Sequence, residues 1–234
     1  MCQWLEIDQS GHKASAQRYG VPLLNMMTTN LQSFLSSQPT TDIAAALLGK
    51  QLRLETTSGP LTAWITETEA YLGANDAGAH AYQNHQTARN RALWQPAGTI
   101  YIYQMRALYL LNLVTQAAGT PECVLIRGIE PVSGVEQMQR NRPVPLANLT
   151  NGPGKLMQAL GLDKTLNGQP LQKATLSLDL GRVRQPRQII KTPRIGIVNK
   201  AEWTSAPLRF YVAGNPFVSK ISRRTIDPQT HGWQ

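Results

Sequence analysis

The sequence predicts an α+β fold: one domain built on a curved antiparallel β-sheet with helices at its periphery. Three observations carry that prediction. Apolar segments with strand-like patterning come in pairs joined by short turns, as hairpins do. Helix patterns are few and short, and they do not alternate with strands as a βαβ series would. A chain of 234 residues with 41% apolar and 16% charged residues is long enough to bury one sizeable core.

Taken in order, residues 1–33 are polar, lack a sustained period and include His12-Lys13-Ala14-Ser15, so they read as a disordered or loosely attached arm. Met26-Met27 stands just ahead of the first patterned segment, and a natural start there is one explanation. The folded domain is expected over residues 34–234. A short helix is expected from residue 41, with Thr41 or Asp42 as N-cap, good helix formers behind it, and Gly49 past its end. Residues 51–56 and 61–71 read as strands around the turn Ser58-Gly59-Pro60. A second pair is expected at 99–103 and 108–115, and a further apolar strand at 124–129. Gly152-Pro153 opens a helix over 155–162, and residues 195–198 and 208–212 read as late strands.

Composition narrows the function. No run approaches the roughly 20 apolar residues of a membrane span, and the first 30 residues lack a signal-peptide pattern, which predicts a cytoplasmic, or in a bacterium nucleoid-associated, protein. Cys2 and Cys123 are too few for a disulfide framework and show no zinc-ligand spacing, so neither metal nor cofactor is expected. The net charge of +9 is unevenly spread: residues 137–234 carry 15 Lys and Arg against 4 Asp and Glu, whereas residues 1–136 carry 8 against 10. Such an asymmetry points to a polyanionic partner, because each neutralised phosphate releases counterions. The densest cluster holds Arg182, Arg184, Arg187, Lys191 and Arg194. A solvated basic loop would look the same.

In a strand, Ile65, Glu67, Glu69 and Tyr71 would share one face, about 7 Å apart at successive positions, so an arginine could bridge the two carboxylates. The pattern also suits the solvated face of an edge strand. The next 40 residues shift the balance toward a site. A long polar connection carries Asp76, His80 and Gln86-Thr87-Ala88-Arg89-Asn90-Arg91, and then Tyr101 and Tyr103 share a strand face. Tyrosines, a histidine and a carboxylate within a basic protein are what a pocket for a flipped base requires.

With these segments in view, the chain resembles the alkyladenine (3-methyladenine) DNA glycosylase family. The resemblance rests on Glu67-Thr68-Glu69-Ala70-Tyr71-Leu72-Gly73, Asp76 with Ala79-His80, Gln86-Thr87 with Arg89-Asn90, Gly98-Thr99 with Tyr101 and Tyr103, Asn112, Cys123-Val124-Leu125-Ile126-Arg127, Glu130-Pro131, Gly152-Pro153 with Lys155-Leu156, Arg194-Ile195-Gly196, and Pro207-Leu208-Arg209-Phe210-Tyr211 with Gly214. It spans residues 34–219. It implies a monomeric, monofunctional hydrolase of base excision repair whose partner is double-stranded DNA containing damaged purines. Glu69 is then the general base that directs water at C1′, with Arg127 beside that water. An ordinary Glu, with a pKa of about 4.3, would be ionised at neutral pH. Tyr71 and Tyr103 sandwich the extruded base, His80 stacks on it or bonds to its sugar-phosphate, and Asn112 polices the purine 2-position; a satisfied strand amide is the other reading of Asn112. Lys155 is expected to meet a phosphate at a helix start, and Arg184 and Arg187 to contact the DNA backbone.

One departure from the family stands at the hairpin tip, Gln104-Met105-Arg106-Ala107. Arg106 takes the position of the aromatic wedge that fills the gap left by the extruded nucleotide, with Met105 as an apolar alternative. Ala107 takes a glycine position and is expected to be strained if the turn needs φ > 0. Two other function classes compete: a non-catalytic nucleic-acid-binding module, and a glycosidase using the Glu67 and Glu69 pair on sugars, which leaves the basic half unexplained. The residues do not rank 3-methyladenine, 7-methylguanine, hypoxanthine and etheno-adenine as substrates.

Overall fold

The computed structural model describes residues 31–234, so most of the expected N-terminal arm and the Met26-Met27 start lie outside the described residues. Leu31 and Leu35 already belong to the core. Eight strands, β1 (Lys50–Leu54), β2 (Leu61–Tyr71), β3 (Ile100–Met105), β4 (Leu108–Thr115), β5 (Glu122–Ser133), β6 (Leu176–Val183), β7 (Ile189–Thr192) and β8 (Arg209–Val212), form one sheet in the order β3-β4-β5-β2-β1-β6, with β8 also paired to β2 and β7 to β8. Every strand pairing is antiparallel. Helices α1 (Thr40–Ala46), α2 (Val135–Asn141), α3 (Pro153–Leu160) and α4 (Glu202–Ser205) flank it, so the α+β prediction holds. No helix among the described residues is long and apolar enough to cross a membrane.

The sheet separates two apolar regions by strand alternation. Ile100, Ile102, Leu111, Leu113, Val124 and Ile126 enter the main core with Leu47 of the α1 end and Leu156 and Met157 of α3. The intervening Tyr101, Val114 and Cys123 join a smaller cluster with Ala81, Ala92 and Leu93, which come from the long connection between β2 and β3. That connection is folded back over the second face of the sheet. Asn90 staples it, accepting from the Thr87 N–H at 2.7 Å and donating to the carbonyls of His80 and His85 at 3.0 and 2.9 Å.

Three local readings need correction. α1 begins at Thr40, so Thr41 and Asp42 lie inside it; the N-cap is Pro39, which has no side-chain acceptor, and the Thr40 hydroxyl reaches Thr115 at 2.7 Å and Glu122 at 2.5 Å. Gly49 does end this segment as expected: it sits at φ +78°, and a Cβ there would fall 1.9 Å from the Arg184 carbonyl oxygen. Residues 195–198 form a turn and not a strand. Their apolar character serves a cavity wall, since Ile195 and Ile197 line it, while Val198 is exposed.

The third correction bears on the site. The β2–β5 register breaks between Ile65 and Glu67, a bulge at which Thr66 and Glu67 both turn toward residues 217–219. The alternation therefore reverses. Leu61, Ala63 and Ile65 face the main core, while past the bulge Ala70 takes that face and Glu67, Glu69 and Tyr71 take the other. Ile65 does not share a face with the carboxylates. The bulge also lets β2 fork, pairing with β1 over residues 61–64 and with β8 over residues 67–69.

Candidate active site

Between the β3–β4 hairpin, the start of α3, the β2–β3 connection and the turn at Ile195 lies a cavity of about 300 Å³. Tyr71, His80, Tyr103, Met105, Asn112 and Arg127 line it, together with Leu125, Pro153 and Ile195. Six of the residues singled out in the sequence thus meet around one void, although they are spread over nearly 60 residues of chain. Hydrophobic walls with a few convergent polar groups are the usual character of a ligand site.

Glu69 lies behind that wall and is fully buried, so the solvated-edge reading of β2 does not apply. Two hydrogen-bond donors hold it, the Ile195 N–H at 2.7 Å and the Tyr71 hydroxyl at 2.9 Å, and Arg127 NH1 pairs with it in charge at 3.3 Å. All three residues line the cavity. A carboxylate offers about four acceptor positions, so capacity is left for a water or a substrate group. Glu69 is not an ordinary glutamate. Burial pushes its carboxyl up, and Arg127, the Ile195 N–H and the Tyr71 hydroxyl offset that only in part. The Tyr71 hydroxyl is likewise pushed well up by burial and by the Glu69 charge, so it donates and does not ionise.

Arg127 spends each of its three nitrogens separately: Nε on Glu67 at 3.1 Å, NH1 on Glu69 at 3.3 Å and NH2 on the Ser219 hydroxyl at 3.2 Å. Burial would lower its basicity, but Glu69 and Glu67 outweigh that and raise it. Glu67 is fully buried too, and also accepts from Arg209 Nε at 2.6 Å and from the Ser219 N–H and hydroxyl at 2.7 and 2.8 Å. Two carboxylates and two guanidiniums therefore balance in charge beneath the cavity.

The aromatic side of the cavity is a stack. His80 lies on Tyr103 with ring centroids 3.9 Å apart, and Arg89 covers the Tyr103 ring at 5.4 Å. The Tyr101 hydroxyl, whose proton burial retains, sits 3.0 Å from His80 Nδ1. Burial of the ring, with the Arg89 cation nearby, lowers the His80 pKa, so the ring is neutral at pH 7. Asn112 is a satisfied strand amide that also faces the cavity. Its amide nitrogen donates to the carbonyls of Tyr101 and Leu110 at 3.1 and 3.2 Å, and its side chain is part of the cavity lining. The buried thiol of Cys123 lies 3.8 Å from its amide oxygen.

Beneath Tyr71 lies a pair that the sequence did not join, and it withdraws Arg194 from the basic cluster expected to face a polyanion. Asp76 and Arg194 are both fully buried, 2.5 and 2.7 Å apart at their two contacts, and the guanidinium also donates to the Ala70 carbonyl at 3.1 Å and packs under the Tyr71 ring at 4.6 Å. Asp76 accepts further from the N–H groups of Leu72 and Gly78 at 3.1 and 2.8 Å. A Cβ on Gly78 would come within 2.6 Å of the guanidinium, so only glycine leaves room for the pair. Both residues stand in motifs that carry the family resemblance, but their separation of 118 residues hid the contact.

The remaining candidates divide. Met105 lines the cavity mouth and is 47% exposed, while Arg106 stands at the tip of a two-residue hairpin loop, exposed, at φ +55°. The left-handed position is therefore Arg106 and not Ala107, which corrects the expected site of strain. Lys155 lies in the first turn of α3 but not on the cavity, and donates to Asn151 at 2.7 Å. Arg184 and Arg187 are not brought to the cavity: Arg184 pairs with Glu130 at 3.3 Å against the Trp233 ring, and Arg187 approaches Asp227 at 3.9 Å. Arg209, Ser219 and the Ile195 N–H are the site groups that sequence reasoning missed. Among the described residues no group of three or more His, Cys, Asp or Glu is arranged to hold a metal ion.

Comparison with known proteins gives a consistent result. The model of a family described as methylpurine-DNA glycosylase matches residues 33–216. A protein of Lactiplantibacillus plantarum is 78% identical over 205 residues, spanning 88% of this chain and 98% of its own length. A protein of Latilactobacillus sakei is 49% identical over 203 residues, spanning 86% and 95%, and one of Enterococcus faecalis is 44% identical over 203 residues, spanning 86% and 89%. All three carry the name "Putative 3-methyladenine DNA glycosylase".

Proposed function

Because the chain belongs to the methylpurine-DNA glycosylase family, and is thereby a DNA glycosylase and a hydrolase acting on DNA, we propose that its cavity receives a damaged purine extruded from the duplex. Alkylated purines, and deaminated ones such as hypoxanthine, are the proposed substrates. The base slides between Tyr71 and the His80–Tyr103 stack, with Asn112 against its edge. Glu69 takes a proton from a water held beside Arg127 as the water oxygen bonds to C1′. The C1′–N bond breaks, its electron pair leaves with the purine, and an abasic site remains in an uncut strand. Cationic N3- or N7-methylpurines are already good leaving groups, so the protein need supply only the base, the water and electrostatic support.

The observation that carries this reading is the Glu69 carboxylate, hydrogen-bonded by Ile195 and Tyr71 and paired with Arg127, all three residues of the cavity lining, with acceptor capacity left over. Outward from the site, Arg106 at the hairpin tip fills the gap left by the extruded nucleotide, the start of α3 with Lys155 meets a phosphate, and Arg184 and Arg187 add backbone affinity. Glu69→Gln tests the core of the proposal. Binding to a duplex bearing a single hypoxanthine should survive while base release falls by at least about 100-fold. Retained release would refute the role of Glu69, and borohydride trapping of a covalent protein–DNA adduct would refute hydrolysis by water.

A further inference from the structure

Glu67 accepts four hydrogen bonds, yet it does not face the cavity. It accepts from Arg127, from Arg209 and twice from Ser219. Three of these bonds fall on Oε1 and one on Oε2, and Glu67 is not part of the cavity lining, so it has no direct path to substrate. Its partners come from β5, β8 and the segment after β8, and they converge only because the bulge at Thr66 turns Glu67 onto the same side as Glu69. Arg127 in turn donates from Nε to Glu67 and from NH2 to Ser219, and its NH1 pairs in charge with Glu69.

We infer that Glu67 is a positioning residue of the reaction: it fixes the Arg127 guanidinium against Glu69 and offsets one of the two charges of Arg127 and Arg209. This rests on the reading of Glu69 as the base. Without Glu67, Arg127 loses the bond that sets its Nε direction, and Arg209 loses its 2.6 Å partner. Two guanidiniums then face the single carboxylate of Glu69. The excess positive charge favours the ionised form of Glu69, and the freed guanidinium no longer holds the water in line. Glu67 currently raises the Glu69 pKa, in keeping with this direction. A purely structural Glu67 would change neither the ionisation of Glu69 nor the geometry at its free acceptor position.

The test is single-turnover base release from a hypoxanthine duplex, measured across pH for the full chain and for Glu67→Gln, Ser219→Ala and Glu69→Gln. Glu67→Gln should move the acidic limb of the profile down by roughly 1.7 pH units, the size expected for removing a unit charge some 7 Å away in a medium of effective dielectric about 20. Its plateau rate should fall roughly 10-fold, because a neutral amide holds Arg127 less tightly and the amide NH2 cannot accept from the Ser219 N–H. Ser219→Ala deletes only the hydroxyl that joins Arg127 to Glu67, and should slow release a few-fold with duplex binding unchanged, which keeps the question open to measurement if Glu67→Gln does not fold. A Glu67→Gln profile whose limb stays in place, whatever its plateau, overturns the positioning role, as does an unchanged rate in Ser219→Ala. Full activity in Glu69→Gln instead overturns the reading of Glu69 itself, and is distinguished by occurring without any change at Glu67.

Discussion

The Asp76–Arg194 pair offers a quantitative test of how the site is held from below. Both side chains are fully buried, and the pair links the connection after β2 to the turn whose Ile195 N–H holds Glu69. Asp76→Asn would leave the Arg194 cation buried with only the Ala70 carbonyl and the Tyr71 ring, at a cost of about 3–5 kcal/mol. Arg194→Met would leave the Asp76 carboxylate with only the Leu72 and Gly78 N–H groups, at a comparable cost of about 3–5 kcal/mol. In the double variant no charge is buried and the Asn oxygen still accepts from a backbone N–H. What remains lost is the bond to Ala70 and some packing, about 1–3 kcal/mol. The double variant should therefore be no less stable than either single one, a coupling of about 3 kcal/mol or more. Equilibrium urea unfolding at pH 7 reads this as a shift in midpoint at constant slope. Single variants costing under about 1 kcal/mol, or costs that simply add, would refute the argument that an uncompensated buried charge dominates here.

Two further residues of the site give measurable outcomes. Arg106→Ala should slow release from a duplex far more than from a single-stranded oligonucleotide, where no stack is broken; an unchanged duplex rate would move the plug to Met105. Arg106→Gly should have the same kinetic effect yet raise stability by about 0.5–1 kcal/mol, because the tip residue at φ +55° is strained as arginine, whereas Ala107→Gly should not stabilise. Release should rise with pH as Glu69 loses its proton, and because burial raises its pKa the half-point should lie above the ordinary value of 4.5; a half-point at or below that value would mean that Arg127 outweighs burial.

By itself the sequence determined the antiparallel α+β class, the bounds of β2 and β4, and the set of residues that meets around the cavity. Those features are local. Period-2 alternation put Glu67, Glu69 and Tyr71 on one strand face and paired Tyr101 with Tyr103, and the polar connection offered His80. Family motifs added Asn112 and Arg127, which the alternation of β4 and β5 does turn toward the cavity. The β6 strand was no less legible, in the alternation of Leu176, Leu178 and Leu180, yet it is absent from the expected elements. Only the tertiary structure decided the rest. One extra residue at Thr66 leaves no mark in composition, yet it reverses the alternation along β2 and turns Glu67 toward Arg127. Ile195 and Ile197 look like a strand because apolar residues wall a cavity as readily as a core. The bonds that hold the site, Arg194 to Asp76, Ile195 to Glu69, Arg209 and Ser219 to Glu67, join residues 118 to 152 positions apart. No local pattern encodes such pairs: a buried charge needs an opposite charge and donors wherever the fold supplies them, and only the folded chain shows where that is.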